Sequence, residues 1–471
     1  MNFSSARKFL QSRFALAIFA GLMLAFAFPK WNIAGFAWIA PGLILLCGAG
    51  QTPRQQFWIG YAAGVSHYLA SLSWLLNIPF PGGAIAGWMA LSAYCALYPA
   101  TWVWLSWKVF HRLICAGKNF SRDEATFFSF QENFLQTTWK QRAIWSVICA
   151  AIWVALEMIL ARLFSGFPWN FLGTTQYRMT PLLQIASFTG VYGVSFLLVW
   201  FAVSLACAGV LLALKPQPSR AWSGEIILPA LAAAGLFAAG VKHISPDDPA
   251  LPKLKLALIQ PSIPQTLIFD PSQNEKRFAA VMELSERALA EKPDVLVWPE
   301  AATPPVDEEK YAAITNLISR HHVWMIFCAD DSTNSFTANG KPETNYFNSS
   351  FFFSPNGNYL ATYRKQQLVI FGEYVPLSHW LPFMKWLTPI DGGFTPGTGS
   401  VPFQIESPRA KLSALICFED AFPHYVREHV AGDTDFLLNL TNDGWFGQGA
   451  AHWQQAANAL FRAIELAERG L

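Results

Sequence analysis

Between residues 14 and 241 the chain repeatedly runs apolar for about the length that crosses a bilayer, ~20 residues. Seven such stretches occur, at roughly 14–28, 33–50, 57–76, 84–107, 143–163, 182–213 and 225–241. Backbone groups left unpaired in lipid are too costly to keep, so this half is expected to be a bundle of about seven membrane-spanning helices. Only 14% of the residues are charged, against ~25% in soluble domains. The 20 tryptophans and 39 phenylalanines fit the same setting. A net charge of +2 gives no electrostatic case for nucleic acid as a partner. The seven cysteines show no C-x-x-C spacing, so neither a disulfide framework nor a metal site is indicated, and nothing asks for a cofactor.

Lysine and arginine in the loops set the orientation. With the N-terminus in the cytoplasm, the inner loops carry twelve of them, among them Arg7, Lys8, Arg13, Lys108 and Arg112. The outer loops carry three, Lys30, Arg162 and Arg178. Seven crossings from an inner start deliver everything after Val241 to the outer side. His67, Glu157 and Arg162 are ionisable groups within or at the ends of spans. The loop at 109–141 is long and mixed in charge, and no role is assigned to it.

The pattern changes after the linker-like run at 243–249. Strands are predicted at 254–260, 294–298, 323–329, 347–353, 359–363, 412–416 and 435–439, with helices at 274–291, 308–321 and 453–468. Pro355-Asn356-Gly357 is a hairpin turn signal between two of the strands. Residues 365–410 are rich in Gly and Pro and read as loop. Alternating strands and helices imply a layered α/β sandwich. The expected division is therefore a transmembrane helical bundle over 1–245 and a water-facing domain over 246–471.

Three predicted strands end in reactive side chains: Val295-Leu296-Val297-Trp298-Pro299-Glu300, Tyr359 through Arg364 to Lys365, and Leu415-Ile416-Cys417. If these strands neighbour one another in one sheet, their ends converge. A thiol, a carboxylate and an ammonium suffice for acyl transfer through a covalent thioester. A helix expected just after Cys417 would favour the thiolate.

Trp298-Pro299-Glu300, Tyr363-Arg364-Lys365 followed by Phe371-Gly372-Glu373-Tyr374-Val375-Pro376, and Ile416-Cys417-Phe418-Glu419 together resemble the nitrilase (carbon–nitrogen hydrolase) superfamily. Asn439 to Gly447 and the multispan first half resemble, more narrowly, the bacterial apolipoprotein N-acyltransferases. The resemblance implies an αββα sandwich. It also implies Glu300 as base, Lys365 as oxyanion stabiliser and Cys417 as nucleophile. Glu373 would orient the lysine, and Glu419 would support the nucleophile. The implied reaction moves a fatty acyl chain from a membrane phospholipid to the α-amino group of a diacylglyceryl apolipoprotein. That reaction requires no cofactor, takes place on the periplasmic face of the bacterial inner membrane, and needs only one copy of the chain. An apolar loop at 377–387 with Trp380, together with Trp445 and Phe446, is expected to enter lipid or line an acyl groove. The chain departs from the family pattern in having Phe418 where tyrosine is usual. The family also continues beyond Leu471 with further strands and one more span, so the second domain is expected to be incomplete at its C-terminus.

Overall fold

A computed structural model describes residues 3–80, 82–114, 127–214, 223–244, 253–268, 270–336, 340–376 and 393–467. The helices of the first half are α1 (Phe3–Ala27), α2 (Ala40–Cys47), α3 (Pro53–Ser71), α4 (Gly83–Cys95), α5 (Leu97–Ile114) and α6 (Phe127–Leu135). They continue with α7 (Trp139–Leu160), the one-turn helices α8 (Thr180–Leu183) and α9 (Ala186–Thr189), α10 (Val191–Leu214) and α11 (Ser223–His243).

The starts of α3 and α7 are written in the sequence. Thr52 and Gln55, and Thr138 and Gln141, form reciprocal capping boxes that satisfy N-terminal amides. Among the described residues, three helical stretches are long and apolar enough to cross a membrane: Trp139–Leu160, Val191–Leu214 and Gly224–His243. A shorter apolar one covers Ser12–Ala27. Expected spans are interrupted, among them 182–213, where α8 and α9 precede α10. The stretch 33–50 is a short 3-10 turn at Ala34–Trp38 followed by the eight-residue α2, and 84–107 is divided between α4 and α5. Hydropathy marks apolar length but does not register such breaks.

Close helix packing rests on small residues. A Cβ placed on Gly60 would lie 2.8 Å from Ala100 Cα, and one on Gly64 would lie 2.8 Å from Ala96 Cα. Two small residues four apart on α3 thus meet Ala100 of α5 and Ala96 just before it, which lets antiparallel backbones approach. A buried ion pair of Arg142 with Glu225 joins α7 to α11.

The chain divides into two compact units, and the division differs from the expected one. The helical unit comprises Met1–Leu76, Ile85–Pro246 and Gly449–Glu465, so most of the last helix, α16 (Ala451–Ala467), belongs to it. Phe461 and Ile464 enter the core of the bundle. Buried Gln454 accepts from the indole N–H groups of Trp74 at 3.0 Å and Trp169 at 2.7 Å. It donates to the carbonyls of Pro29 at 2.9 Å and Ser71 at 3.1 Å. The amphipathic pattern of 453–468 specifies a helix with one apolar face, not the unit on which that face packs.

The second unit is Asn77–Ala84, Asp247–Gln448 and Leu466–Leu471. Its first sheet has the order β1 (Leu256–Leu258), β2 (Val295–Trp298), β3 (Trp324–Phe336), β4 (Pro342–Phe353), β5 (Tyr359–Arg364). β1, β2 and β3 run parallel, and β3, β4 and β5 antiparallel. The β4–β5 hairpin turns at Gly357, whose φ of 78° suits glycine. The second sheet has the order β6 (Pro402–Ile405), β7 (Ala410–Ile416), β8 (Phe436–Leu440). β6 lies inside the stretch read as loop.

Strand alternation builds the layers. Val295 and Val297 of β2 and Ile326 of β3 pack with Phe403, Leu412, Ala414, Ile416 and Leu438 of the second sheet. Leu296 and Trp298 point the other way, against Val281 and Leu289 of α13 (Asn274–Leu289) and Ile314 and Leu317 of α14 (Glu308–His321). The short α12 (Gln265–Ile268) precedes these two helices, and α15 (Pro423–His429) follows the end of β7.

Candidate active site

Glu300 stands two residues beyond β2, Lys365 directly after β5 and Cys417 directly after β7. These strands do not neighbour one another in one sheet, as the sequence reading supposed. β2 and β5 are separated by β3 and β4, and β7 belongs to the facing sheet. The strand ends meet because the two sheets face each other and β4 supplies a bridge between the segments that follow β2 and β5.

That bridge is Asn348. Its side-chain amide donates to Glu300 Oε1 at 2.7 Å and to Glu373 Oε1 at 3.2 Å. Its backbone carbonyl accepts from Lys365 N at 2.8 Å. The Lys365 ammonium donates to Glu373 Oε1 at 2.9 Å and lies 3.6 Å from Glu300 Oε1. Glu373 Oε2 accepts from Val369 N at 2.8 Å, and Glu300 Oε2 accepts from Asn442 N at 3.2 Å. Two carboxylates thus share one ammonium that is 1% exposed. Sequence reasoning missed Asn348. Its signal was the polar run Asn348-Ser349-Ser350 between phenylalanines in an otherwise apolar strand.

Cys417 has φ of 57°, a left-handed conformation that non-glycine residues seldom adopt. Such strain recurs at functional positions and is held in place by the surrounding structure. Here the nearby bonds are Asn439 Nδ2 to the Cys417 carbonyl at 3.0 Å and Ile416 N to Glu419 Oε2 at 2.8 Å. The residues after the thiol form a five-residue 3-10 turn, Cys417–Ala421, and α15 begins only at Pro423. Cys417 thus sits on the expected strand-to-helix turn, at the first residue of the 3-10 turn rather than of the α-helix. Burial pushes the Cys417 thiol up, the charge of Glu300 adds to that, and Lys365 opposes it. Burial likewise raises Glu300, against the pull of Lys365. For Lys365, burial favours loss of the proton, but Cys417, Glu373 and Glu300 outweigh it and hold the ammonium. These directions favour the neutral thiol and the charged ammonium, and they raise the carboxyl group above its ordinary range.

Trp445 and Phe446 lie on a 3-10 turn, Asp443–Phe446, and both are half-buried. The Phe446 carbonyl accepts from Asn77 Nδ2 at 2.8 Å. Trp380 and the rest of 377–387 lie outside the described residues.

Comparison with known proteins extends over both halves. Residues 20–204 match the apolipoprotein N-acyltransferase N-terminal domain, and residues 255–467 match the carbon–nitrogen hydrolase family. The apolipoprotein N-acyltransferase of Geobacter metallireducens is 34% identical over 470 residues, covering 96% of this chain and 81% of its own. The chain belongs to the apolipoprotein N-acyltransferase family. The Vibrio vulnificus member of that family is 29% identical over 465 residues, covering 96% of this chain and 82% of its own. Among solved structures, an amidase from Nesterenkonia sp. matches 40% of this chain and 64% of its own, at 17% identity and a TM-score of 0.28. The assignment rests on the sequence relatives. It makes the protein an acyltransferase with a nitrilase-type domain and candidate membrane helices.

Proposed function

We propose that the protein acylates the α-amino group of the lipidated N-terminal cysteine of apolipoproteins in two half-reactions, ping-pong fashion. In the first, the Cys417 sulfur attacks the carbonyl carbon of a phospholipid acyl ester while Glu300 takes the thiol proton. Lys365 and nearby backbone N–H groups hold the charge on the tetrahedral oxygen. The carbon–oxygen bond breaks, Glu300 returns the proton to the departing oxygen, and a lysophospholipid leaves. In the second, the α-amine of a diacylglyceryl apolipoprotein attacks the thioester carbon. The carbon–sulfur bond breaks and the amine proton passes through Glu300 to the sulfur. Glu373 orients Lys365.

The observation that carries this reading is the cluster of Glu300, Glu373 and Asn348 about one buried ammonium, within the electrostatic reach of a strained cysteine. Both substrates are anchored by lipid. The proposal therefore places a multi-pass bundle in the bacterial inner membrane, with the catalytic domain on the periplasmic side. Trp445, Phe446 and Trp380 would contact acyl chains, and the enzyme would act as a monomer.

Mass spectrometry of the protein incubated with phospholipid tests it. A fatty-acyl group is expected on Cys417 and absent from Cys417→Ala, with turnover of the variant below detection. An acyl adduct that persists in the variant removes Cys417 from the role. Rapid release of free fatty acid without an amine acceptor makes the protein a membrane-tethered hydrolase.

A further inference from the structure

The carboxylate of Glu419 is fully buried and accepts four hydrogen bonds. Its Oε1 accepts from the backbone N–H of Gln366 at 2.8 Å and of Gln367 at 3.1 Å, the two residues after Lys365. Its Oε2 accepts from Ile416 N at 2.8 Å, the residue before Cys417. One side chain therefore grips the backbone beside both reactive groups, across the gap between the two sheets. The fourth bond comes from a tyrosine that is itself bonded to a second. Tyr363, on β5 two residues before Lys365, donates its hydroxyl proton to Oε2 at 2.8 Å. Tyr425 of α15 lies 3.3 Å from Oε1 and 2.7 Å from the Tyr363 hydroxyl. Because the Tyr363 proton is committed to Glu419, the short tyrosine–tyrosine bond is donated by Tyr425. Neither tyrosine appears in the reaction above. The Tyr363 ring is 0% exposed, and its hydroxyl is engaged by Glu419 and Tyr425.

We propose that Tyr363 and Tyr425 are positioning residues: their hydroxyls fix the Glu419 carboxylate, which in turn fixes the spacing of Lys365 and Cys417. A buried carboxylate that loses one donor can rotate to recover its bonds, and a rotation here moves the chain on both sides of the reacting pair. An ångström of misplacement at such a pair costs up to about a hundredfold in rate. Hydroxyl bonds in a network polarise one another, so removing the near donor weakens the far one as well. Removing Tyr363 should therefore cost more than removing Tyr425, and the double variant should cost less than the product of the two.

This inference rests on the reading of Lys365 and Cys417 as partners in the proposed reaction. The experiment carries one arm independent of that reaction. Tyr363→Phe and Tyr425→Phe are prepared in the full chain and compared with the parent for acyl transfer, for alkylation of Cys417 by iodoacetamide, and for thermal unfolding. For Tyr363→Phe, kcat should fall about tenfold or more with KM within twofold, and alkylation should slow in parallel, as misplacement of the pair demands. Tyr425→Phe should show the same pattern, smaller. Alkylation and kcat equal to the parent in both variants, whatever happens to the melting temperature, would overturn the proposal and leave the tyrosines as packing. If the parent shows no acyl transfer, the proposed function fails, and alkylation alone decides the positioning role.

Discussion

Gln454 in the helical unit and Lys365 in the sandwich are both buried polar side chains inside apolar surroundings, and they are treated in opposite ways. Every hydrogen-bonding site of the Gln454 amide is matched: two indole donors on its oxygen, two carbonyl acceptors on its nitrogen. All four of these partners are neutral groups. Lys365 instead faces two carboxylates that compete for it, beside a thiol whose pKa burial pushes up and a backbone in a left-handed turn. The first arrangement has nowhere better to go, so it fixes structure. The second can be relieved by moving a proton or by accepting negative charge on a substrate oxygen. A buried polar group that is fully and neutrally satisfied marks architecture; one held among unbalanced charges marks chemistry.

The largest effects should fall on the chemical side. Lys365→Ala removes the cation that would meet the tetrahedral oxygen, and should lower kcat by roughly 10²–10³. Its effect on unfolding should be modest, since the two carboxylates left behind can take up protons. A near-normal rate would make Lys365 a structural ion-pair partner and erase the contrast with Gln454. Gln454→Leu tests the other side. It strands two indole N–H groups and two carbonyls, each worth about 1–3 kcal/mol when buried without a partner. After partial relaxation the helical unit should lose about 2–4 kcal/mol. The expected result is a clear drop in melting temperature, with the catalytic constants of the surviving folded fraction near the parent's.

Glu300→Gln should separate rate from stability. The rate should collapse, because an amide takes no proton. Stability should follow the pKa. A carboxyl raised by folding holds its proton where the unfolded chain has lost it, so its favourable contribution exists below the ordinary glutamate value of about 4.3 and fades as pH rises toward the folded value. Burial raises Glu300 in this way. Glu300→Gln should thus gain stability relative to the parent as pH climbs from about 4 upward. Denaturant midpoints measured across that range report the sign, and a relative loss would mean that the bonds to Lys365 and Asn348 outweigh burial.

Much of the sandwich was legible because strand alternation and turn chemistry are local. The strands carrying Glu300, Lys365 and Cys417, the Gly357 hairpin and helices α13 and α14 all follow from patterns a few residues long. β6 was hidden among the glycines and prolines of 365–410. The sheet pairing was hidden too, because strand ends say where a side chain sits along a strand and not which sheet the strand joins. Asn348 was overlooked for a related reason: an asparagine in a strand becomes a bridge only once β3 and β4 separate the two carboxylate-bearing segments. Placing α16 was harder still. Gln454 finds its partners 380 and 425 residues away in sequence at Trp74 and Pro29, and no window-based reading connects them.

The smallest effect should come from Phe418, where the family resemblance leads to the expectation of tyrosine. The ring lies 5.7 Å below the Lys365 ammonium and packs edge-on against Phe422 at 5.2 Å. Its contribution is to the cation, through the negative face of an aromatic ring, and a hydroxyl is not needed for that. Phe418→Tyr should leave kcat within about twofold, because the face presented to the ammonium is unchanged. Phe418→Ala should lower it about three- to fivefold, the equivalent of the ~0.5–1 kcal/mol such a contact contributes. If tyrosine instead raises the rate tenfold, the added hydroxyl reaches the reacting oxygen. If alanine is silent, the ammonium is held by its carboxylates alone, and the charge imbalance that separates this site from the Gln454 clasp lies entirely in Glu300 and Glu373.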